Sequence, residues 1–301
     1  MTTEQTTPNG PSLESAPSAT LDPNGMAPDV TRYVIVEVNS SNYGFPTGST
    51  VELMASSAAA VTRVPKSPRF VHGVINHRGS IIPVVDTRAL LGLKTASEQG
   101  EAVVKRIGEY ELELLAWVDA IETAISSGEQ FEGTTNAGET TLGKWRHSVL
   151  NDPRELQRLQ QYDSGIREQV ESTAVPHKRL YAAGEKALGL LESGDSEGAQ
   201  ECVKQAKEVE FGALRRIFRS IKRNVSGGFK TMLVITELGE RRAAFEVDSV
   251  HTVKDCAEGD IESLPDTATG SEFMRGLVHQ DDGGYVLICD LEQMYHLACP
   301  L

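Results

Sequence analysis

Alternating apolar and polar positions begin at residue 32, where "RYVIVEV" puts Val34, Val36 and Val38 on one face of a strand and Tyr33, Ile35 and Glu37 on the other. "NSSNYGF" supplies a turn. The segments "TVELMASSAAAVTRVP" and "VHGVINHRGSIIPVVDTRALLGL" add short β-type runs cut by Pro65, Pro68, Gly73, Gly79 and Pro83. Many short strands with this punctuation predict a small barrel in preference to a layered α/β sheet. From about residue 98 the apolar period lengthens from two to that of a helix, through Val103, Val104, Ile107, Leu114, Leu115, Val118, Ile121 and Ile125, and Gly128 closes the run.

"GETTLGKWRHSVL" is a second helical candidate. "NDPRELQRLQQYDSGIREQVES" predicts a third helix, opened by Asp152 as cap and Pro153 at the first helical position. Pro176 disfavours a helix running through residue 175, so the next is expected to start there and end at Gly194. A last helix carries Val203, Val209, Phe211, Leu214, Ile217, Phe218 and Ile221. Strands resume in "TMLVITELGERRAAFEVDSVHTV", a hairpin with Leu238 and Gly239 near its turn, and in "FMRGLVHQDDGGYVLICDLEQMY". The order strands, helices, strands fits either two β-domains around a helical one or one β-module with a helical insertion. An even-numbered antiparallel bundle brings its ends together and sits readily in a surface loop.

Composition narrows the picture. Residues 1–31 are rich in Ser, Thr, Pro, Asn and Gly, bury almost nothing and are expected to form a disordered arm. A net charge of -14 over 301 residues argues against a nucleic-acid binder working through phosphate neutralisation. Neither a signal peptide nor a run of about 18 apolar residues is found, which points to a cytoplasmic chain without direct membrane insertion. Cys202, Cys256, Cys289 and Cys299 are scattered without a CxxC pair, so neither a disulfide framework nor a zinc ribbon is expected. No phosphate-binding glycine loop occurs, and Asp248, Ser249 and His251 lie along one strand, where adjacency in sequence does not make a triad. No enzyme is expected.

The stretch "VHGVINHRGSIIPVVDTRALLGL" resembles the signature region of CheW-like coupling domains, with its Gly-Val-Ile-Asn-x-Arg-Gly and Ile-x-Pro-Val-x-Asp-Leu-Arg elements. The continuation of that pattern, a Val-Asp-x-Val element and a final apolar strand, is supplied by "AAFEVDSVHTV" and "FMRGLVHQDDGGYVLICDLEQM", after residue 230. The resemblance implies an α+β fold, a CheW-like pair of small SH3-like five-stranded β-barrels, divided into residues 32–97 and 227–301 by an inserted antiparallel helical bundle over residues 98–226. It implies a cytoplasmic adaptor whose partners are a chemoreceptor's cytoplasmic tip and a CheA-type histidine kinase, with Glu52, Asn76, Arg78 and Gly79 as partner-binding residues. Arg78 has two open readings: a contact that couples receptor and kinase, or one half of an internal ion pair with Glu52 that orders the barrel. An exposed pair worth ~0.2–1 kcal/mol gives little reason to need an arginine.

The helical stretch resembles the chemoreceptor zinc-binding (CZB) domain through Leu115-Ala116-Trp117, Thr140-Thr141-Leu142-Gly143-Lys144-Trp145, and Pro176-His177 with Tyr181. At the places where that family has His, Cys, His and His, this chain reads Leu115, Thr140, His177 and Tyr181. A structural zinc site takes four N or S ligands, so no metal and no cofactor are expected. His147 beside Trp145 is the one substitute donor. The expected arrangement is His177 bonded to a hydroxyl such as Thr140 or Tyr181, with Leu115 filling volume a metal would organise. Cys202 reads as an inert core thiol. Arg215, Arg216, Arg219, Lys222 and Arg223 either complement a helix dipole or form a docking patch for an acidic partner helix. The alternative to a plain adaptor is a metal- or oxidant-responsive sensor whose bundle binds a ligand and modulates coupling.

Overall fold

The structure, a computed structural model, describes residues 29–264, 270–280 and 283–298. The arm expected over residues 1–31 thus lies almost wholly outside the described residues, as does Cys299. The first strands are β1 (Val30–Val38), β2 (Ser41–Pro46), β3 (Thr50–Ala55), β4 (Val71–His77) and β5 (Ser80–Asp86), closed by the single turn α1 (Thr87–Leu90). After the helical stretch come β6 (Met232–Leu238), β7 (Arg241–Val247), β8 (Ser249–Ala257), β9 (Met274–His279), β10 (Tyr285–Cys289) and α9 (Leu291–Ala298).

These strands form two five-stranded mixed sheets, ordered β8-β1-β2-β10-β9 and β3-β6-β7-β5-β4. Within each, every pairing is antiparallel except one, β10 with β2 and β5 with β7. The two halves of the chain repeat one plan. Leu53 of β3 faces Val234 of β6 just as Val253 of β8 faces Val34 of β1. In each half the third strand leaves its own hairpin and pairs with the first strand of the other half. Neither half therefore completes a sheet alone.

Alternation along β1 feeds two cores. Val34, Val36 and Val38 meet Phe245, Val247 and Tyr295 between the sheets, while Tyr33 and Ile35 turn into a smaller core with Val278, Val286 and Ile288. The second sheet has the matching inner core of Ile75, Ile82, Val84, Leu233 and Ile235. At the centre the repeat-equivalent Phe45 and Phe245 pack with ring centroids 5.6 Å apart. Each sheet curls around its inner core until its two edges approach: Glu52 of β3 reaches the end of β4, and Glu258, just after β8, pairs with Arg275 of β9.

The helices between the halves are α2 (Ala96–Ser127), α3 (Thr141–Asn151), α4 (Pro153–Gln160), α5 (Ile166–Ser172), α6 (Ala174–Glu192), α7 (Ser196–Ala206) and α8 (Gly212–Ser226), with a π turn over Lys207–Phe211 joining the last two. Thr95 and Glu98 form a capping box at the start of α2, and Gly128 ends it in the left-handed region. Buried residues from all these elements form one helical core. The helix predicted over residues 151–172 is instead two. The chain breaks at residues 161–165, where the Asp163 carboxylate accepts from the Gly165 amide and the Tyr162 hydroxyl donates to the Ala96 carbonyl. Pro176 is tolerated two residues inside α6, in the first turn, where its missing amide costs no helical hydrogen bond.

Candidate functional site

The residues singled out in the sequence meet at the tip of the β4–β5 hairpin. His77 faces Ser80 in the ladder, so Arg78 and Gly79 alone make the turn, and both have positive φ, 52° and 86°. That is the two-residue turn whose twist matches the strands it joins. The Asn76 carboxamide oxygen accepts from the Gly79 amide at 2.9 Å. Buried His77 lies 3.0 Å from Glu52, and Arg78, which is exposed, donates to the same Glu52 oxygen at 2.6 Å. The imidazole first, and then the guanidinium, hold the Glu52 carboxyl below its ordinary range. All four predicted residues are thus brought together, and Glu52 and Arg78 do form the ion pair. Exposed apolar side chains lie on the strands beside the tip: Val51 and Leu53 on β3 and, 74% exposed, Ile81 on β5.

A second polar cluster sits where the helices leave and rejoin the strands. Arg88, in α1, and Asp248, just after β7, form a forked ion pair with side chains 4% and 2% exposed. Arg88 also donates to Gln99 of α2 at 2.8 Å, Gln99 donates to Asn39, and the Asn39 amide donates to Asp248. The guanidinium lies 4.9 Å over the ring of Phe229, on the returning segment. Nearby, His72 of β4 is held between Asp86 at 3.2 Å and Glu246 at 2.6 Å, and these carboxylates raise it to about 10, so it is a cation at neutral pH. Sequence reasoning missed this cluster. Its signal was a charge, Arg88, set in the apolar run "VVDTRALLGL", where burial requires a partner.

In the helical core, His177 is fully buried. Its Nε2 lies 3.3 Å from the Thr140 hydroxyl oxygen, which itself donates to Ala137, and its Nδ1 lies 3.3 Å from Arg146 Nη1. A neutral imidazole with its proton on Nε2 satisfies both contacts. Burial, aided by Arg146, lowers His177 to about 4. Tyr181 packs edge-on against it at 5.0 Å. Leu115 does not join them. It is 37% exposed on the outside of α2, because Leu114 and Val118 carry the buried phase, and Trp117, stacked on Tyr181 at 4.0 Å, takes the inner volume. His147 lies apart, exposed and bonded to Asn151. This donor set does not suit a zinc ion: one imidazole, two neutral hydroxyls and a guanidinium on the remaining imidazole lone pair. Among the described residues no group of three or more His, Cys, Asp and Glu side chains is arranged to hold a metal.

Cys202 is half-buried, not core, and its thiol lies 3.5 Å from the Ala183 carbonyl oxygen. Ser249 and Glu37 both meet His251 at Nε2, so one imidazole nitrogen is asked to serve both, and no Ser-His-acid relay exists there. Among the described residues no helix is long and apolar enough to cross a membrane.

A family model described as the CheW-like domain matches residues 32–126 and 213–299, more than half of the chain. The chain belongs to the CheW-like domain family. It is 33% identical over 102 residues to the chemotaxis protein CheW of Thermotoga maritima, covering 34% of this chain and 66% of that protein. It is 42% identical over 43 residues to the probable chemotaxis protein CheW of Rhizobium etli, covering 14% of this chain and 28% of that protein. The chain therefore spans just under two thirds of the first relative's length and under a third of the second's. The solved structure of the scaffolding protein TtCheW from Thermoanaerobacter tengcongensis aligns with 15% identity and a TM-score of 0.38, over 88% of this chain and 86% of that one.

Proposed function

We propose that the protein is a cytoplasmic, non-enzymatic chemotaxis adaptor, coupling a chemoreceptor's cytoplasmic tip to a CheA-type histidine kinase through Glu52, Asn76, Arg78 and Gly79 and the apolar strands beside them. The two curled sheets are read as the family's paired barrels, made from residues 32–97 and 227–301. Residues 98–226 are read as an inserted bundle similar to the CZB domain, degenerate at its metal positions.

One observation carries the contact role: Arg78 occupies a left-handed backbone position. For a residue with a Cβ that conformation costs roughly 1–2 kcal/mol, and glycine or asparagine is the usual occupant. An exposed ion pair returns about 0.2–1 kcal/mol, which does not offset the strain. An arginine that is no net gain to the fold is explained by a partner. The relatives' chemotaxis names and the exposed apolar residues around the tip support the same reading.

The test uses the purified full chain with kinase and receptor-tip fragments. Arg78→Asn suits the turn and is expected to keep or raise the thermal midpoint while weakening fragment binding about tenfold or more, as loss of an anchor does. Binding of that variant at the wild-type level would leave Arg78 a scaffold residue. A zinc assay of the same preparation separates the sensor alternative, since near-stoichiometric metal lost on His177→Ala would establish a working site.

A further inference from the structure

We propose that the outer seam between α2 and α8 is a docking groove for an acidic, amphipathic helix of a partner protein. The groove, about 540 Å³, is lined by Gly108, Leu112 and Leu115 of α2 and Phe211 at the end of the π turn, and by two carboxylates, Glu109 and Glu111, that face the cations Lys105, Arg215 and Lys222. Leu112 is 67% exposed, unusual for a leucine beside a second exposed leucine one turn on.

Gly108 is the second observation. It lies inside a 32-residue helix, and a Cβ there meets nothing within 4 Å. Glycine in a helix interior is less stable than alanine, and no contact among the described residues calls for it. A helix crossing closely at that point does. Residues 105–115 rise about 15 Å, so the seam accommodates about three turns of such a helix.

Charge selects the occupant. Every charged residue of α8, "GALRRIFRSIKRNVS", is a cation. Arg215 and Lys222 are engaged by Glu111 at 2.9 and 2.8 Å, and Lys105 lies 3.8 Å from Glu109. Arg216, Arg219 and Arg223 follow one another on the exposed side of α8 and make no ion pair among the described residues. The charge inside the seam is thus paired, and the unpaired charge is the arginine row along its α8 rim, a local cationic strip on a chain of net charge -14, which disfavours an extended polyanion such as nucleic acid or an anionic membrane. A twofold pairing about an axis across the seam sets one cation row beside the other, and a pairing about an axis along it is the dimer that the test below reads out. A short apolar stripe flanked by carboxylates satisfies both the leucines and the arginines.

The test uses the full chain and two synthetic helical peptides of about 18 residues with the same leucine stripe, one flanked by Glu and the other by Lys. The Glu peptide is expected to bind at least about tenfold more tightly, to weaken with added salt and to shift the amide resonances of residues 105–115 and 211–222. Leu112→Asp and Gly108→Leu are expected to weaken it about tenfold or more. Gly108→Ala guards against misfolding: it is expected to raise the thermal midpoint while weakening the peptide. Arg78→Asn is expected to leave peptide binding unchanged, so this proposal and the coupling role fail separately. Equal affinity for the two peptides, no binding, shifts mapped elsewhere, or a dimer dissolved by Leu112→Asp would each overturn it.

Discussion

A histidine buried against an arginine stays neutral, and that makes the helical core pH-dependent. His177 is lowered to about 4, from an ordinary 6.5, by burial and then by Arg146. Folding therefore favours its neutral form. The contribution is complete above pH 6.5 and is lost as the pH falls through 4, a gap worth about 3 kcal/mol. In urea titrations of the full chain, the wild type is expected to lose more stability between pH 7 and pH 4.5 than His177→Gln, which keeps a polar side chain without the charge. Parallel pH profiles for the two would show that His177 does not titrate in this way. The contact of His177 with Thr140 was legible because both positions belong to a recognisable pattern. Leu115 was misplaced because helix phase decides it: one residue's rotation, about 100°, separates it from the buried Leu114. The pairs His72–Glu246 and Arg88–Asp248 were not legible, since nothing local in a sequence says which distant strand brings the partner.

Among elements, β4 and β9 depend on a close approach that only glycine permits. A Cβ on Gly73 would stand 2.2 Å from the Thr62 carbonyl oxygen, and one on Gly276 2.3 Å from that of Glu262. Both oxygens belong to isolated bridges, Thr62 with Val74 and Glu262 with Leu277, that tie the incoming segment to the edge strand. Gly73→Ala and Gly276→Ala are each expected to cost about 2–4 kcal/mol, read as a lower denaturant midpoint at unchanged slope. Gly48→Ala, where a Cβ meets nothing within 4 Å, is the control and is expected to be nearly neutral. The strands themselves were readable from alternation and turn residues, and the long helix from its period and caps. The break between α4 and α5 was not, because Asp163 and Gly165 stop the helix through a side-chain turn that leaves the apolar period nearly intact.

For the whole molecule, the sequence showed a β-module in two pieces but not that the pieces are repeats. The likeness lies in register and in paired positions such as Phe45 and Phe245, while the intervening residues differ. The exchange of β3 and β8 between halves makes each half dependent on the other, and the helices are not part of that exchange. Arg88 touches both Gln99, just after the chain enters the helices, and Phe229, just after it leaves them, so entry and exit lie within the reach of one side chain. Replacing residues 96–226 by a linker of about four Gly and Ser residues is then sterically easy. The excised chain is expected to unfold in one cooperative transition, weakened by about 1.5–3 kcal/mol for the lost Gln99 bond to a buried charge. It is also expected to retain binding to the kinase and receptor fragments. Residues 29–95 alone are expected to give the circular dichroism and collapsed amide dispersion of an unfolded chain, because β3, β4 and β5 lack β6 and β7. An unfolded excision product would make the helical core part of what holds the strands together, and a folded 29–95 fragment would mean that the exchange of strands is not obligatory.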